Sequence, residues 1–392
     1  MKTLLPESTD AAMNKTSTSV LQLRSSAGLY GADRMVLALD AGLQRQGARS
    51  RLLSIHNYLL ATQPLHEAAI VAGQDAVLLP CRGRIDMRTV AALVAQIDAA
   101  GAGVLHVHDY KSAFYAWLAT RRRPQARLVA TLHGWVESSQ ALRLYNTLEI
   151  ALLRRFDALV VVAEAQLERL QRAGVPRARI RQIDNGIALT SADPSPSPVL
   201  RAELGLDGAG LVFGAVARLS PEKNLSLLLA AFASVANADR TAMLLIVGDG
   251  PERQALEAQA ARLGLQARVR FAGARADMAR VYPLIDCLVL PSLSEGMPLE
   301  VLEAMACGIP VIASAVGDVP KLLANTQHGQ LVPPGDEPAL RAAMLAASAQ
   351  SGRTDEAGAA FVRTHHSDHA MAARYLDLYQ DLLVDGHDRK TA

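Results

Sequence analysis

The sequence has few cysteines and almost no net charge. Only 3 of its 392 residues are cysteines, at Cys81, Cys287 and Cys307, and no two of them form a C-x-x-C pair. This spacing argues against a disulfide scaffold or a zinc ribbon and fits a reducing compartment. The formal net charge of +2 gives no support to a nucleic-acid partner.

Long apolar runs are also missing. Residues 1–19 are polar, rich in Ser and Thr, and lack the apolar core of a signal peptide, so we expect a disordered leader there. No uninterrupted apolar run approaches the length of a membrane span. We therefore expect a cytoplasmic protein whose only contact with a membrane would be peripheral, at the inner face. The basic clusters 121–123 and 154–155 fit either a solvated surface or a patch for an anionic membrane.

Apolar runs of strand length alternate with helical patterns along the chain. Half of the residues are hydrophobic, and the length suits two domains of ordinary size. Strict alternation of strand and helix predicts parallel sheets covered on both faces. The predicted strands are 20–24, 51–55, 77–79, 104–107, 128–132, 159–162, 211–216, 242–247, 268–271, 286–291, 311–313 and 330–332. The predicted helices are about 32–46, 89–100, 112–120, 141–155, 164–173, 224–236, 252–263, 298–308, 318–323, 336–350 and 354–385.

A segment rich in Pro and Ser, SADPSPSP at residues 191–198, divides these elements into two sets. Such a segment cannot continue a helix or a sheet and is a natural domain boundary. We expect an α/β protein with two Rossmann-like, doubly wound parallel-sheet domains. Their predicted limits are a leader at 1–19, a first domain at 20–190, a linker at 191–200, a second domain at 201–353 and a helical segment at 354–392.

The densest chemical pattern is PSLSEGMPLEVLEAMACGIP, residues 291–310. A buried strand leads into a short loop, and Pro298 opens a helical pattern. Glu295 in the loop and Glu303 on the helix bracket the helix start, where loop amides and the helix dipole favour an anion. Ionised carboxylates accept hydrogen bonds well from sugar or ribose hydroxyls. The pattern indicates a nucleotide-sugar pocket, but spacing alone fits a strand–loop–helix unit with solvated glutamates equally well.

A second loop in the same half, ARLSPEKN at residues 217–224, carries two cations. Arg218 and Lys223 lie between a predicted strand and a predicted helix and can converge on one diphosphate. The alternative is a surface loop in which Glu222 pairs with Lys223. Both loops follow parallel strands, and ligands bind at the carboxyl ends of such strands, so we expect them to face one crevice.

Polar residues also end three predicted strands of the first half. In GLYGADR, Gly28 and Gly31 permit tight turns beside a ligand, but a full G-x-G-x-x-G is absent and a plain βα turn fits as well. His133 closes the strand 128–132 beside a glycine, which favours a functional role. His106 should point inward along its strand and favours a structural role. The roles of His108 and Asp109 stay open.

Together these motifs resemble those of retaining glycosyltransferases with the GT-B fold, in family 4 (group 1). Glu295 and Glu303 match the E-x7-E pattern of that family, and ARLSPEKN, VGDGPE and HGQLVPPGD match its other loops in the second half. The first half is similar through HVHD and TLHG, while GLYGADR stands where the family has a tighter Gly-Gly step. The resemblance begins near residue 20. It implies two domains facing each other across a cleft, the first on the acceptor side, with the last helical segment crossing back to the first.

The resemblance assigns a role to each matching position. The catalytic set is His133, Glu295, Arg218 and Lys223. The implied roles are cations that hold the donor diphosphate and stabilise the leaving group (Arg218, Lys223), an acceptor for the ribose hydroxyls (Glu303), contacts to the transferred sugar (Glu295, and His133 near the reacting carbon), backbone amides near sugar and phosphate (Gly296, Met297, Leu299), a glycine that admits the phosphates (Gly31) and a weaker acceptor-side contact (Asp109).

The implied activity is metal-independent sugar transfer with retention of configuration and no cofactor. The donor would be a nucleotide sugar, with UDP favoured. The acceptor would be a saccharide or a lipid-linked saccharide, used in the synthesis of cell-surface glycan or exopolysaccharide. A sugar-nucleotide epimerase or hydrolase of the same architecture is the first alternative, although the sequence offers no clear set of further acid/base carboxylates. A nucleotide-binding protein without transfer activity is the second.

Overall fold

The computed structural model describes residues 18–133, 147, 149–189, 195–349, 352 and 354–391, the side chains of 385–391 excepted. Residues 1–17 of the predicted leader, part of the helix predicted at 141–155, and linker residues 191–194 lie outside this set. The last two residues of the predicted leader, Thr18 and Ser19, are described, and both are buried. The chain forms two compact units, and each has its own parallel sheet. The first unit runs to Gly186 and resumes at Asp368, and the second is Ile187–Ser367. The predicted class, two doubly wound parallel-sheet domains, is confirmed.

The first unit is built on a seven-stranded sheet with the order β3-β2-β1-β4-β5-β6-β7. Neighbouring strands in it are all parallel. The strands are β1 Ser19–Arg24, β2 Arg49–Ile55, β3 Ala76–Leu79, β4 Val104–Val107, β5 Arg127–Leu132, β6 Ala158–Val161 and β7 Ile180–Gln182. The helices are α1 Gly31–Arg45, α2 Pro64–Val71, α3 Met87–Ala100, α4 Tyr110–Thr120, α5 Glu164–Arg172 and, from the end of the chain, α14 Asp368–Thr391.

Helix α2 and strand β7 are the elements of this unit that the sequence patterns did not predict. Helix α2 buries only Leu65 and Ala69, so it has no apolar stripe of the usual width. Strand β7 has three residues and buries only Ile180, because it lies at the edge of the sheet. Short edge elements carry too few buried positions to leave a periodic signal.

The second unit is built on a six-stranded parallel sheet with the order β10-β9-β8-β11-β12-β13. The strands are β8 Val212–Val216, β9 Met243–Val247, β10 Val269–Gly273, β11 Cys287–Leu290, β12 Val311–Ser314 and β13 Gln330–Val332. The helices are α6 Pro198–Glu203, α7 Leu225–Ala238, α8 Arg253–Arg262, α9 Met278–Val281, α10 Leu299–Ala306, α11 Val319–Leu323, α12 Glu337–Ser348 and α13 Glu356–His365.

Four details of the second unit differ from the sequence patterns. The short helices α6 and α9 were not predicted. Pro298 is the N-cap of α10, with ψ of 126°, and Leu299 is the first helical residue. The single pattern at 354–385 is two helices, because the backbone of His366 accepts a hydrogen bond from the amide of Ile187 at 2.8 Å and leaves the helical path. The break separates α13, in the second unit, from α14, in the first.

The central strands of both sheets are buried along their length, as the apolar runs predicted. All residues of β4, β6, β9, β11 and β12 are buried. Burial of such runs on both faces fixes the sheets and leaves the loops at the strand ends as the places for polar chemistry. In the part of the chain that the structure describes, no helix is both long enough and apolar enough to cross a bilayer.

Candidate functional site

Three loops meet at the carboxyl end of the sheet in the second unit, after β8, β9 and β11. Strand β8 lies between β9 and β11, so the loops that follow them are neighbours. The amide of Leu219 donates to the carbonyl of Asp249 at 3.0 Å, and the amide of Leu293 donates to the carbonyl of Glu222 at 2.8 Å. The ARLSPEKN and SEGMPLE segments, which the sequence predicted to face one crevice, are therefore adjoining loops.

Lys223 is the central cation of this edge. Its Nζ donates to Oε1 of Glu295 and to Oε1 of Glu300, both at 2.7 Å. The exposed fractions of the three side chains are only 15%, 10% and 16%, for Lys223, Glu295 and Glu300 in that order. One ammonium thus holds two carboxylates in a largely desolvated place, and the group carries one excess negative charge.

The electrostatics of the three groups follow from that arrangement. Burial acts to lower the pKa of Lys223, but the charges of Glu300 and Glu295 outweigh it and raise the pKa above its ordinary value. Burial and the neighbouring charge of Glu300 raise the pKa of Glu295, and Lys223 offsets only part of this. Lys223 is therefore a permanent cation, and its charge favours the ionised form of Glu295 against the effect of burial.

Glu303 lies one helical turn beyond Glu300 on α10. The hydroxyl of Tyr282 donates to its Oε2 at 2.6 Å. The charge of Glu303, after burial, also raises the pKa of the Cys307 thiol at the end of the helix. Arg218 is exposed at the start of its loop, and its charge helps to lower the pKa of Glu222. This edge of the sheet thus carries both cations and carboxylates.

Glycines allow the backbones of these loops to approach one another closely. Gly248 has φ of +134°, and a Cβ built on it would lie 1.8 Å from the carbonyl oxygen of Ala217. A Cβ on Gly317, at φ of +54°, would lie 2.3 Å from the carbonyl oxygen of Glu295. A side chain at either position would displace the loop that carries Arg218 or the loop that carries Glu295. Gly248 belongs to the VGDGPE motif, so its close approach to Ala217 gives a physical reason for glycine at that position of the motif.

The loop before α10 is fixed by its own backbone. The carbonyl of Gly296 accepts from the amide of Asp318 at 2.9 Å. Met297 and Leu299 are 7% and 6% exposed, so their side chains are buried. The predicted amide contacts of Gly296, Met297 and Leu299 with a ligand stay predictions.

The first unit has a buried polar cluster at the carboxyl ends of β1, β4 and β5. Nε2 of His133 lies 3.3 Å from Nδ1 of His108, and Nε2 of His108 lies 2.7 Å from Oε1 of Gln22. The rings of His108 and His133 are stacked, with centroids 5.5 Å apart. His108, which the sequence left open, therefore lies directly behind His133.

The cluster continues from Gln22 to helix α14. Nε2 of Gln22 lies 3.4 Å from the hydroxyl of Tyr379, which lies 2.7 Å from Nδ1 of His106. Nε2 of His106 is 2.8 Å from Oγ1 of Thr131. The structural role expected for His106 agrees with these contacts and with its complete burial.

The three histidine rings are held in the neutral form. Burial lowers the pKa of His106 to about 3. Burial also lowers the pKa of His108 and of His133 well below the usual range, and the charge of Arg24 acts in the same direction on both. A neutral imidazole has one donor nitrogen and one acceptor nitrogen, so the position of its single proton decides what it can bind.

Asp109 is the N-cap of α4. Its Oδ1 accepts from the amide of Ser112 at 2.9 Å, and its Oδ2 accepts from the amide of Ser25 at 2.7 Å. These contacts order the loop after β1, and the predicted acceptor-side contact of Asp109 stays a prediction. Gly31 is the first residue of α1, and a Cβ built there would meet nothing within 4 Å. The packing of this unit therefore does not itself require glycine at that position.

Five residues of these clusters were not predicted from the sequence: Glu300, Tyr282, Gln22, Thr131 and Tyr379. Glu300 comes in the first turn of α10, and its position one turn before Glu303 was a signal that could have been used. The others reach the clusters from separate elements, which the sequence patterns do not connect. Within the described ranges, no group of three or more His, Cys, Asp and Glu is placed to hold a metal ion.

Two family models match most of the chain. The model described as Glycosyltransferase Family 4 matches residues 30–191, and the one described as Glycosyl transferases group 1 matches residues 210–350. The chain belongs to this family of glycosyltransferases. Its two parallel-sheet domains have the GT-B fold, which the solved structures below share.

Among curated relatives, D-inositol 3-phosphate glycosyltransferase of Mycobacterium sp. (strain JLS) is 32% identical over 249 residues, which are 58% of this chain and 55% of that protein. N-acetyl-alpha-D-glucosaminyl L-malate synthase of Bacillus anthracis is 28% identical over 239 residues, 59% of this chain and 62% of that protein. The match thus spans little more than half the length of these relatives.

Solved structures match over nearly the whole chain. Anabaena Alr3699/HepE, in complex with UDP and glucose, has a TM-score of 0.78 at 21% identity and covers 93% of this chain and 100% of that one. Sucrose-phosphate synthase from Thermosynechococcus elongatus has a TM-score of 0.74 at 24% identity, with coverage of 94% and 100%. At these identities the likeness concerns the fold.

Proposed function

We propose that the protein transfers a sugar from a UDP-sugar to a hydroxyl of a saccharide or lipid-linked saccharide acceptor, with retention of configuration and without a metal ion. The observation that carries the proposal is the position of Lys223. It is a desolvated cation between two carboxylates at the carboxyl end of a parallel sheet, where this class of fold binds its ligands. UDP as the nucleotide is supported by the ligands named for the HepE structures.

In this proposal the diphosphate replaces one carboxylate on Lys223. Arg218, exposed in the same loop, adds a second cation, and the two stabilise the charge that develops when the sugar–phosphate bond breaks. Glu303, oriented by the hydroxyl of Tyr282, accepts from the ribose hydroxyls. Glu295 then accepts from the sugar ring, and the amides of Gly296, Met297 and Leu299 approach sugar and phosphate.

The first unit contributes His133 and Gly31 to the proposed reaction. His133 is half-buried, and desolvation lowers the pKa of its ring, so it contacts the transferred sugar by a hydrogen bond rather than by charge. Gly31 leaves the backbone at the start of α1 open to the phosphates. The departing diphosphate serves as the base for the incoming hydroxyl, so Glu295 is not needed as a nucleophile. We place the reaction in the cytoplasm, with peripheral contact at the inner membrane face when the acceptor is lipid-linked.

A second class of acceptor is favoured by the names of the relatives. Inositol 3-phosphate and malate, which appear in those names, are small anionic molecules with a free hydroxyl. We therefore include small hydroxylated anions beside saccharides in any acceptor screen. Products formed only with such anions would replace the cell-surface glycan part of the proposal.

The nucleotide pocket can be tested by calorimetric titration with UDP and with GDP, first with EDTA and then with magnesium. We expect UDP to bind in EDTA. Lys223→Ala and Glu303→Ala should each weaken binding by roughly 1.5–3 kcal/mol, because each removes a charge-assisted hydrogen bond. Glu257→Ala is the matched control, since this exposed carboxylate pairs with its helical neighbour Arg253 and lies on a helix that has no part in the proposed pocket. Wild-type affinity in the Lys223 and Glu303 variants would disprove the assignment.

The transfer itself is tested by following UDP release and by reading the anomeric configuration of the product by NMR. Retention is expected. His133→Ala should lower kcat more than it weakens donor binding, and unchanged turnover would leave His133 a structural residue. Equal rates of UDP release with and without acceptors, and free sugar as the product, would instead indicate a hydrolase.

A further inference from the structure

The polar cluster of the first unit is a continuous chain of hydrogen bonds that ends at His133. From that ring it passes through His108 and Gln22 to the hydroxyl of Tyr379, and then to His106. Gln22 and His108 are 0% and 2% exposed, so water does not compete for these bonds. None of these groups except His133 has a role in the proposed reaction.

The chain has a direction, because each of its imidazole rings is neutral and has only one N–H. The Gln22 side chain presents its carbonyl oxygen to His108 and its amide nitrogen to Tyr379. A carbonyl oxygen can only accept, so His108 must carry its proton on Nε2. Nδ1 of His108 is then an acceptor, and Nε2 of His133, 3.3 Å away, must be the donor to it.

We propose that Gln22 and His108 are positioning residues that hold His133 in the tautomer with its proton on Nε2. The lone pair of Nδ1 is then the part of the ring available to a ligand. His133 in this state accepts a hydrogen bond from a hydroxyl and cannot donate one through Nδ1. The ligand part of the inference rests on the proposed function, whereas the tautomer itself does not.

The consequence is a preference for a hydroxyl over an anion at the position that Nδ1 faces. A carboxylate or a phosphate oxygen has no proton to give and would oppose the lone pair. The charge of Arg24 helps to keep both rings from taking a second proton, which would abolish the preference. If the Gln22 amide were turned over, every link would reverse, and His133 would carry its proton on Nδ1.

The tautomer can be measured directly in the full-length protein without substrate. Histidine-selective 15N labelling with two-bond 1H–15N correlation spectra shows which ring nitrogen carries the proton, and His133→Asn assigns the signals. Near neutral pH we expect His133 with its proton on Nε2. A proton on Nδ1, or a doubly protonated ring, would overturn the proposal, and neither result depends on enzymatic activity.

The role of Gln22 is tested with Gln22→Met, which keeps the length of the side chain and removes the carbonyl. We expect the His133 signals to change to a mixture of tautomers. We also expect kcat to fall roughly tenfold while donor Kd is kept, as when a partner that orients a functional histidine is removed. Gln166→Met is the matched control, since Gln166 is also buried in this unit but accepts from the amide of Val162. Wild-type His133 signals in Gln22→Met would refute the positioning role.

Failure of the two proposals can be told apart. A protein with the expected tautomer and no UDP binding would lose the proposed function and keep the histidine chain. A protein that transfers sugar with His133 protonated on Nδ1 would keep the function and lose this inference. If Gln22→Met does not fold, the tautomer of the wild-type protein still decides the first part.

Discussion

Replacing Lys223 with methionine would leave two carboxylates facing each other without their shared cation. At a separation of about 4 Å and an effective dielectric constant near 20, each Lys–Glu attraction gives roughly 4 kcal/mol before desolvation is subtracted. Removal of one partner from a buried ion pair costs about 3–5 kcal/mol. The exposed fractions here lie between 10% and 16%. We therefore expect Lys223→Met to lower the unfolding free energy of the second unit by about 3 kcal/mol near neutral pH.

The loss of unfolding free energy caused by Lys223→Met should depend on pH in a defined direction. Burial and Glu300 already raise the pKa of Glu295, and the loss of Lys223 would raise it further. The folded variant would then hold protons that the unfolded chain releases, because an unfolded glutamate has a pKa of about 4.3. Its stability relative to wild type therefore falls as the pH rises above that value and recovers as the pH falls toward it.

Urea denaturation near pH 8 and near pH 4.5 measures both parts of this prediction. Lys223→Met combined with Glu300→Gln should recover most of the loss, because one of the two facing charges is gone. Lys111→Met, which removes a cation from the other unit, is the control. The reasoning would be refuted by a Lys223→Met variant as stable as wild type, or by a deficit of the same size at both pH values.

Three further perturbations test other contacts. Gly248→Ala would place a Cβ 1.8 Å from the carbonyl oxygen of Ala217. We therefore expect the free energy of unfolding to fall by about 3 kcal/mol and UDP binding to weaken, as measured by thermal melting and by titration. A normal melting temperature would contradict this. Asp109→Ala removes an N-cap and should cost about 1–2 kcal/mol in a urea titration, whereas an unchanged midpoint would contradict the role of the cap. His106 and His108 are buried as neutral rings, whereas the unfolded chain takes up their protons below about pH 6.5. Each should therefore remove about 1 kcal/mol of stability between pH 6.5 and 5.5, and a flat stability profile would contradict their neutrality.

The sequence predicted the fold well because its signals are local. Runs such as Leu244–Val247 in β9 and the apolar stripe of α1 each report burial of one element, and the strand–helix alternation fixes a parallel sheet. Elements with little burial were the ones missed, as α2 and β7 show.

The candidate sites were only partly predictable for a related reason. Glu295 and Lys223 came from neighbouring loops of a predictable sheet, so their proximity could be expected. The pairing of Lys223 with Glu300, rather than Glu303, depends on the angular position of residues on the first turn of α10. The contact of Tyr379 with Gln22 joins residues 357 positions apart in the chain. No local pattern in the sequence indicates a contact of that separation.

Because helix α14 belongs to the first unit but is the last element of the chain, the first unit can be completed only after the second unit has been synthesised. Helix α14 packs on α1 through Arg45 and Asp368 and brings Tyr375 and Tyr379 into the core of the first unit. The second unit is made between the two parts of the first, and it has all of its own strands and helices before α14 emerges. During synthesis α1 therefore lacks its contact with α14 until the end of the chain has been made, whereas the second unit can fold before that. A stop codon just before Asp368 would leave Gln22 and His106 without their tyrosine partner.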